Sequence, residues 1–179
     1  EQGFARFDLE TQEFTQMFAP NADCPVIKSP AGVAFDDFDR AVFASWAENA
    51  ITWADLDTGD GGVVIDQPWS NSHAGDIGPG HALYLGVDGC GSDPPSSIER
   101  FDADGSQSTY LDGLVGGIHG LAFDPSGNLY ISLGTETSNG VYVVAPATDT
   151  LTLVPDSENQ GIHSIAVHPT TQHVFGLSL

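Results

Sequence analysis

Three histidines stand at matched places in this chain: His73, His119 and His163. Their settings read Ser72-His73-Ala74-Gly75, Ile118-His119-Gly120-Leu121 and Ile162-His163-Ser164-Ile165, spaced by 46 and then 44 residues. Imidazole is a borderline-soft nitrogen donor. Three of them at one point form a set that binds a divalent metal, Zn²⁺ first, and leaves a fourth position open for water or substrate. A metal held in this way lowers the pKa of its water or polarises a substrate oxygen. Ala31 falls at the fourth matched place, a small residue that leaves room beside such a site. The same repetition also arises when duplication copies a histidine whose task is packing within the repeat. Both readings stand on the residues alone.

A second group of chemistry-bearing residues lies in the connections. Trp46 offers apolar surface, and Glu48, Asp88, Asp93 and Glu136 offer carboxylates, all in loops assigned to the same end as the histidines. Loops on a rigid scaffold are where binding usually resides, so these five are candidate ligand-binding residues, with Ca²⁺ as an alternative cation for the carboxylates. Many aspartates fall at turns, where Asp also caps its own backbone; few need be ligands. Trp53, within a strand, reads as core. His81, His168 and His173 lie in or beside turns and read as surface residues.

What brings the histidines together must be a repeat. Gly117-Ile-His-Gly-Leu-Ala-Phe-Asp-Pro-Ser-Gly-Asn-Leu-Tyr-Ile-Ser132 reads as strand, tight turn, strand. Its turn holds Pro to fix φ and Gly to permit positive φ. Ile162 to Pro169 matches Ile118 to Pro125 without gaps, Ser72 to Pro79 matches at an offset of 46, and Gly32 to Asp36 matches at 88. Strand pairs also recur behind each copy: Phe4 to Phe18, Ile51 to Ile65, Ile98 to Leu111 and Val141 to Val154. A period of about 44 residues holding several short antiparallel strands is the mark of propeller blades.

The expected fold is therefore all-β, a β-propeller of four repeats in one domain over 1–179. The units are 30–67, 72–111, 118–154, and a split unit in which 162–179 supplies the inner strand pair and 3–18 the outer pair. Joining the split unit closes a four-bladed ring and removes its exposed edges. Alternatively the chain is part of a larger propeller, and its terminal strands then favour self-association. Inner strands line the central channel of a propeller, which is why matched histidines converge.

Composition narrows the function. The formal net charge is −21, with only four Lys and Arg in 179 residues. Such a chain has too few cations to pair with phosphates, which disfavours nucleic acid and anionic membranes as partners. No run is long enough to span a bilayer. A small molecule or a protein is the expected partner. Cys24 and Cys90 fall in loops of neighbouring units on one face, so a disulfide between them is geometrically open and would suit a secreted or periplasmic protein.

The 117–132 stretch resembles the repeat of NHL-type propellers, including the streptogramin lyase and gluconolactonase-like groups. The resemblance covers nearly the whole chain and implies the propeller fold. That scaffold hosts lyases, lactonases and binding proteins, so it implies either a binding module acting through its channel face or a metal-dependent lyase or hydrolase. One relative, the peptidylglycine amidating lyase, holds a catalytic zinc with three His on its axis. By position His73, His119 and His163 correspond, although here they come from consecutive units, and four units are present where that family has six.

Overall fold

The computed structural model describes residues 4–18, 30–36, 40–45, 50–55, 57–58, 60–66, 72–87, 95–102, 104, 106–134, 139–146, 148 and 150–178. Within them the chain is a series of antiparallel sheets. A hairpin of β1 (Phe4–Phe7) and β2 (Phe14–Phe18) comes first. Then β3 (Pro30–Phe35), β4 (Arg40–Ser45), β5 (Ala50–Asp55) and β6 (Gly61–Asp66) form one four-stranded blade. A second consists of β7 (Ser72–Ile77), β8 (Leu83–Val87), β9 (Ser96–Phe101) and β10 (Gln107–Leu114), and a third of β11 (Gly117–Phe123), β12 (Leu129–Gly134), β13 (Asn139–Val144) and β14 (Leu151–Leu153). The chain finishes on a hairpin of β15 (Ile162–Val167) and β16 (Val174–Ser178).

Each blade pairs in sequence order, and the inner strands β3, β7, β11 and β15 succeed one another side by side. This is the expected propeller arrangement. The join of the split unit is a different matter. Among the described residues β16 pairs only with β15, and β1 only with β2. Pairing that would close the four-bladed ring is thus not seen among the described residues.

Blades adhere because each strand alternates two apolar faces. Leu121, Leu129, Ile131 and Val144 of the third blade pack back onto Ala74, Tyr84 and Ile98 of the second. Ala122 and Val141 face forward onto Ile165. Val42 and Ile51 of the first blade meet Leu83, Leu85 and Phe101 of the second, with Trp53 partly buried against them. A strand with both faces apolar is what a sheet stacked on both sides requires. Two hydroxyls stitch across seams: Ser132 of β12 donates to the carbonyl of Ile162, and Ser96 donates to the Gly116 carbonyl at 2.6 Å.

The acidic turns have a local task. Asp124 accepts the N–H groups of Ser126 and Asn128 and the Asn128 side-chain amide. Asp36 does the same for the backbone and side chain of Arg40 in the matched turn. Asp8 accepts from Glu10 and Thr11, and Asp55 from Asp57 and Thr58. The Thr58 and Asp57 N–H groups hold Asp55 below the usual carboxylate range. The hydroxyl and N–H of Ser106 do so for Asp104. His168, which replaces Asp124 in the last repeat, takes over the role: its Nδ1 accepts from Thr170 and Thr171. Capping therefore accounts for these turn acids without any ligand.

Asp76 is different, because its carboxylate crosses a seam. One oxygen accepts the Ile77 N–H at 2.9 Å, and the other accepts the Phe123 N–H of the next blade at 2.8 Å. Burial raises its pKa above the ordinary aspartate value, and the two N–H bonds only partly oppose this. The sign follows from linkage. A carboxyl whose folded pKa lies above its unfolded value binds its proton more tightly when folded, so stability rises as pH falls through the raised value toward about 3.9. Asp76→Asn removes this titration and one acceptor, at a cost of about 1 kcal/mol. The expected result is that Asp76→Asn gains less stability, or loses more, than the wild type as pH falls through the acidic range, measured by denaturant titration. Identical slopes would show that Asp76 is not the source.

Candidate channel site at the histidine bulges

The three histidines share a backbone feature that the repeat alone does not reveal. In β11 the pairing with β12 runs Ile118 to Leu133 and then Gly120 to Ser132, so His119 is the extra residue of a β-bulge. In β15, Ile162 pairs with Ser178 and Ser164 with Leu177, so His163 is extra. In β7, Ser72 pairs with Val87 and Ala74 with Gly86, so His73 is extra. A bulge re-aims the side chain it carries, and bulges are common beside functional sites. In β3 the extra residue is Gly32, one place after Ala31. The fourth unit therefore departs from the others in backbone as well as in side chain.

Neighbouring blades bring two of these rings together. The imidazoles of His119 and His163 lie 4.5 Å apart between ring centres, tilted by 39°. His119 is half-buried and His163 exposed. Two imidazoles ligating one tetrahedral ion would sit roughly 5 Å apart, given Zn–N of about 2.0–2.1 Å. The His73 side chain lies outside the described residues. Among those described, no set of three His, Cys, Asp or Glu side chains converges as a metal cluster.

Gly134, at the end of β12, completes this geometry and was not singled out from the sequence. A Cβ placed there would lie 2.7 Å from Nε2 of His119 and 2.8 Å from its Cδ2. The ring occupies the space that a side chain at 134 would fill. The signal was available only as a Gly closing a strand, one reading of which is close approach of another group.

The other sequence candidates fall elsewhere. Trp46, Glu48, Asp88, Asp93 and Glu136, and both Cys24 and Cys90, lie outside the described residues. A cavity of about 450 Å³ opens at the far ends of the inner strands, walled by Ile77, Pro79, Phe123, Pro125, Val167 and Pro169. Neither His119 nor His163 lines it. It is a seam between turns, and the cluster with chemistry lies at the starts of the same strands.

Comparison with known proteins bears on the fold. No family model matches the sequence, and no curated protein matches it. Solved structures do. A chain from a nidogen–laminin complex is similar over 97% of this chain and 65% of its own length, with TM-score 0.75 and 17% identity. A gluconolactonase from Xanthomonas campestris is similar over 83% of this chain and 56% of its own, with TM-score 0.64 and 22% identity. Virginiamycin B lyase from Staphylococcus aureus is similar over 98% and 62%, with TM-score 0.61 and 14% identity. The chain thus spans less than two thirds of each structure. At such identities the likeness establishes the fold: the chain is a β-propeller of the kind found in these lactonase and lyase structures. No helix among the described residues is long and apolar enough to cross a membrane.

Proposed function

We propose that this propeller is a ligand- or partner-binding module working outside the cytoplasm, and that its contact surface is the channel end marked by the histidine bulges. One observation carries the reading. His119 and His163, the extra residues of matched bulges, present their rings side by side at 4.5 Å on adjacent inner strands. A pure packing role would not need an exposed ring at His163. The loops holding Trp46, Glu48, Asp88, Asp93 and Glu136 would frame that end, and Cys24 and Cys90 would pair in an oxidising compartment. Similar structures come from a protein–protein complex and from two enzymes, so the scaffold accommodates either kind of partner.

A second reading is favoured by the shared bulge register of all three histidines. In it His73, His119 and His163 hold a divalent ion, Zn²⁺ before Ca²⁺ by donor type, and the chain is a metal-dependent lyase or hydrolase. The bound ion would supply an acidic water or a Lewis acid. The chain's own part is to fix the three rings and keep them open to the channel.

Calorimetric titration with Zn²⁺ separates these readings. About one ion per chain, lost in His119→Ala with the β-type circular dichroism intact, is the expected result for the metal reading. Gly134→Ala should weaken that binding at least tenfold, because its methyl displaces the His119 ring without removing a ligand. No uptake by the wild type would end the metal reading and leave the binding module. That module then requires ligands, from a panel of sugar lactones and peptides, that stabilise the wild type but not a His119→Ala, His163→Ala double variant. A panel without any such compound would remove the channel as the site.

A further inference from the structure

The cavity at the far ends of the inner strands is built from matched places in three successive units. Ile77, Phe123 and Val167 hold one repeat position in its wall, and Pro79, Pro125 and Pro169 another. Its volume, about 450 Å³, falls within the range of about 300–1,000 Å³ usual for small-molecule pockets. It lies at the opposite end from the histidines, so it stands apart from the channel-end reading.

Most of the wall has no backbone donor to give. The three prolines have no N–H. The Gly78 and Asp124 N–H groups go to the Ala82 and Asn128 carbonyls, and that of Gly127 goes to the Asp124 carbonyl. The Ser126 N–H is taken by the Asp124 carboxylate. Those of Ile77 and Phe123 are both answered by Asp76, which accepts one on each oxygen. Val167 has the same setting without that partner. It pairs with Val174, and beside it the His168 N–H donates to the His173 carbonyl. Phe123 likewise pairs with Leu129, beside the Asp124 bond to Asn128. Bonded and non-bonded pairs alternate along an antiparallel ladder, so the Val167 N–H points away from β16 as that of Phe123 points away from β12. Asp76 is matched in the next two units by Ala122 and Ala166. Ala122 packs in one cluster with Val167, and neither alanine has a side-chain acceptor to offer. The cavity thus keeps an open N–H where the preceding seam has a carboxylate.

We propose that this cavity binds a small neutral molecule with an apolar body and a carbonyl oxygen, which takes the Val167 N–H as Asp76 takes that of Phe123. The aliphatic, aromatic and proline side chains of the wall suit the body, and the Ser126 hydroxyl can turn to serve a second polar group. An anion is disfavoured: no Lys, Arg or His lines the wall, whereas Asp124 does, in a chain of net charge −21. A cation would leave the Val167 N–H unanswered and bring a second donor against it.

Titration of the full chain at neutral pH with three compounds of similar shape tests this: N-acetylpiperidine, N-ethylpiperidinium and cyclohexylacetate. The neutral amide should bind and move the Val167 amide proton downfield in the NMR spectrum. The cation and the anion should each bind at least tenfold more weakly. Ala122→Asp installs the missing carboxylate and should weaken binding of the amide at least tenfold. Val167→Pro removes the donor at a place without a ladder bond and should do the same. Circular dichroism identifies which of the two keeps the wild-type fold. A His119→Ala, His163→Ala double variant should bind the amide as the wild type does. Five results would overturn the proposal: no binding of the amide, equal binding of either charged compound, a bound amide that leaves the Val167 proton unmoved, a folded Ala122→Asp or Val167→Pro variant of unchanged affinity, or loss of binding in the histidine variant. The readout is at the cavity, so it stands or falls separately from metal or ligand uptake at the histidines.

Discussion

Ile118→Ala is expected to destabilise the fold by about 4 kcal/mol, within the usual range for a large-to-small change in a packed core. Ile118 is 0% exposed and sits in the main cluster with Ile98, Leu121, Ile131 and Leu133. Its position shows why the site cannot collapse. Gly86, on β8 of the preceding blade, has no Cβ, and one placed there would lie 2.6 Å from Cγ2 of Ile118. The isoleucine is thus a knob seated on a bare stretch of backbone. Truncation leaves a void walled by strands whose ladders hold them in place, and the residual cavity adds to the lost transfer energy. In a chain of this size the change should lower Tm by about 8–16 °C. Total stability is commonly about 5–15 kcal/mol, so the variant would be close to its limit at 37 °C. Val115→Ala, on a side chain that is 79% exposed, is the control and should be silent in the same denaturant titration. A loss below about 1 kcal/mol for Ile118→Ala would mean that the blades slide together to fill the space.

The fold was legible because duplication leaves the same signal several times. Turn chemistry at Asp124 to Asn128 and its counterparts marks each hairpin, and the alternation of apolar residues marks both faces. Strand order within blades followed from those local turns. The pairing of the split unit did not. Whether β16 meets β1 depends on two segments at opposite ends of the chain, and no turn between them sets the register. The outer strands were the least readable. β10 runs to Leu114 through two register shifts, with Gly113 at φ 70°, where the repeat suggested an end at Leu111. β14 shrinks to three residues. Part of its role passes to the Ser157 hydroxyl, which accepts from Val141 N–H and donates to the Val154 carbonyl.

For the site, sequence found the histidines but not their geometry. A bulge adds one residue to a strand relative to its partner, and this cannot be seen when every repeat carries the same extra residue. Only the pairing of Ile118 with Leu133 and Gly120 with Ser132 exposes it. The weight of the acidic residues was also ambiguous, since a carboxylate at a turn caps and ligates with the same atoms. Asp8, Asp36, Asp55 and Asp124 resolve toward capping. Asp76 carried no sequence signal at all: it stands where the other repeats have alanine, at 34, 122 and 166. Its seam-crossing bond depends on the neighbouring blade and so on tertiary structure.

Gly120→Val should be nearly as damaging as the loss of Ile118, for the opposite reason. The repeat shows Gly32, Ala74, Gly120 and Ser164 at this place, which says only that the residue is small. The structure says what small is for. A Cβ on Gly120 would lie 2.9 Å from the backbone N of Ile165, 3.1 Å from its Cγ1 and 3.3 Å from Cα of Ser164. A backbone atom cannot rotate out of the way, so β11 must move off β15. That opens the seam holding Ala122, Val141 and Ile165 and stretches the Ser132 bond to the Ile162 carbonyl. Overpacking of this sort costs about 3 kcal/mol, or about 6–12 °C in Tm. Alanine should cost clearly less than valine, because a single methyl needs only a small shift. Equal costs for the two would mean that space is not the constraint. The damage should also be local. Amide exchange should quicken in β15 and β16 while β3 to β6 keep their protection. Because Gly120 adjoins His119 and Ser164 adjoins His163, the same shift pulls the two rings apart. Zn²⁺ uptake by the surviving folded fraction should then fall, whereas Ile118→Ala, acting on the opposite seam, should leave the ring pair in place.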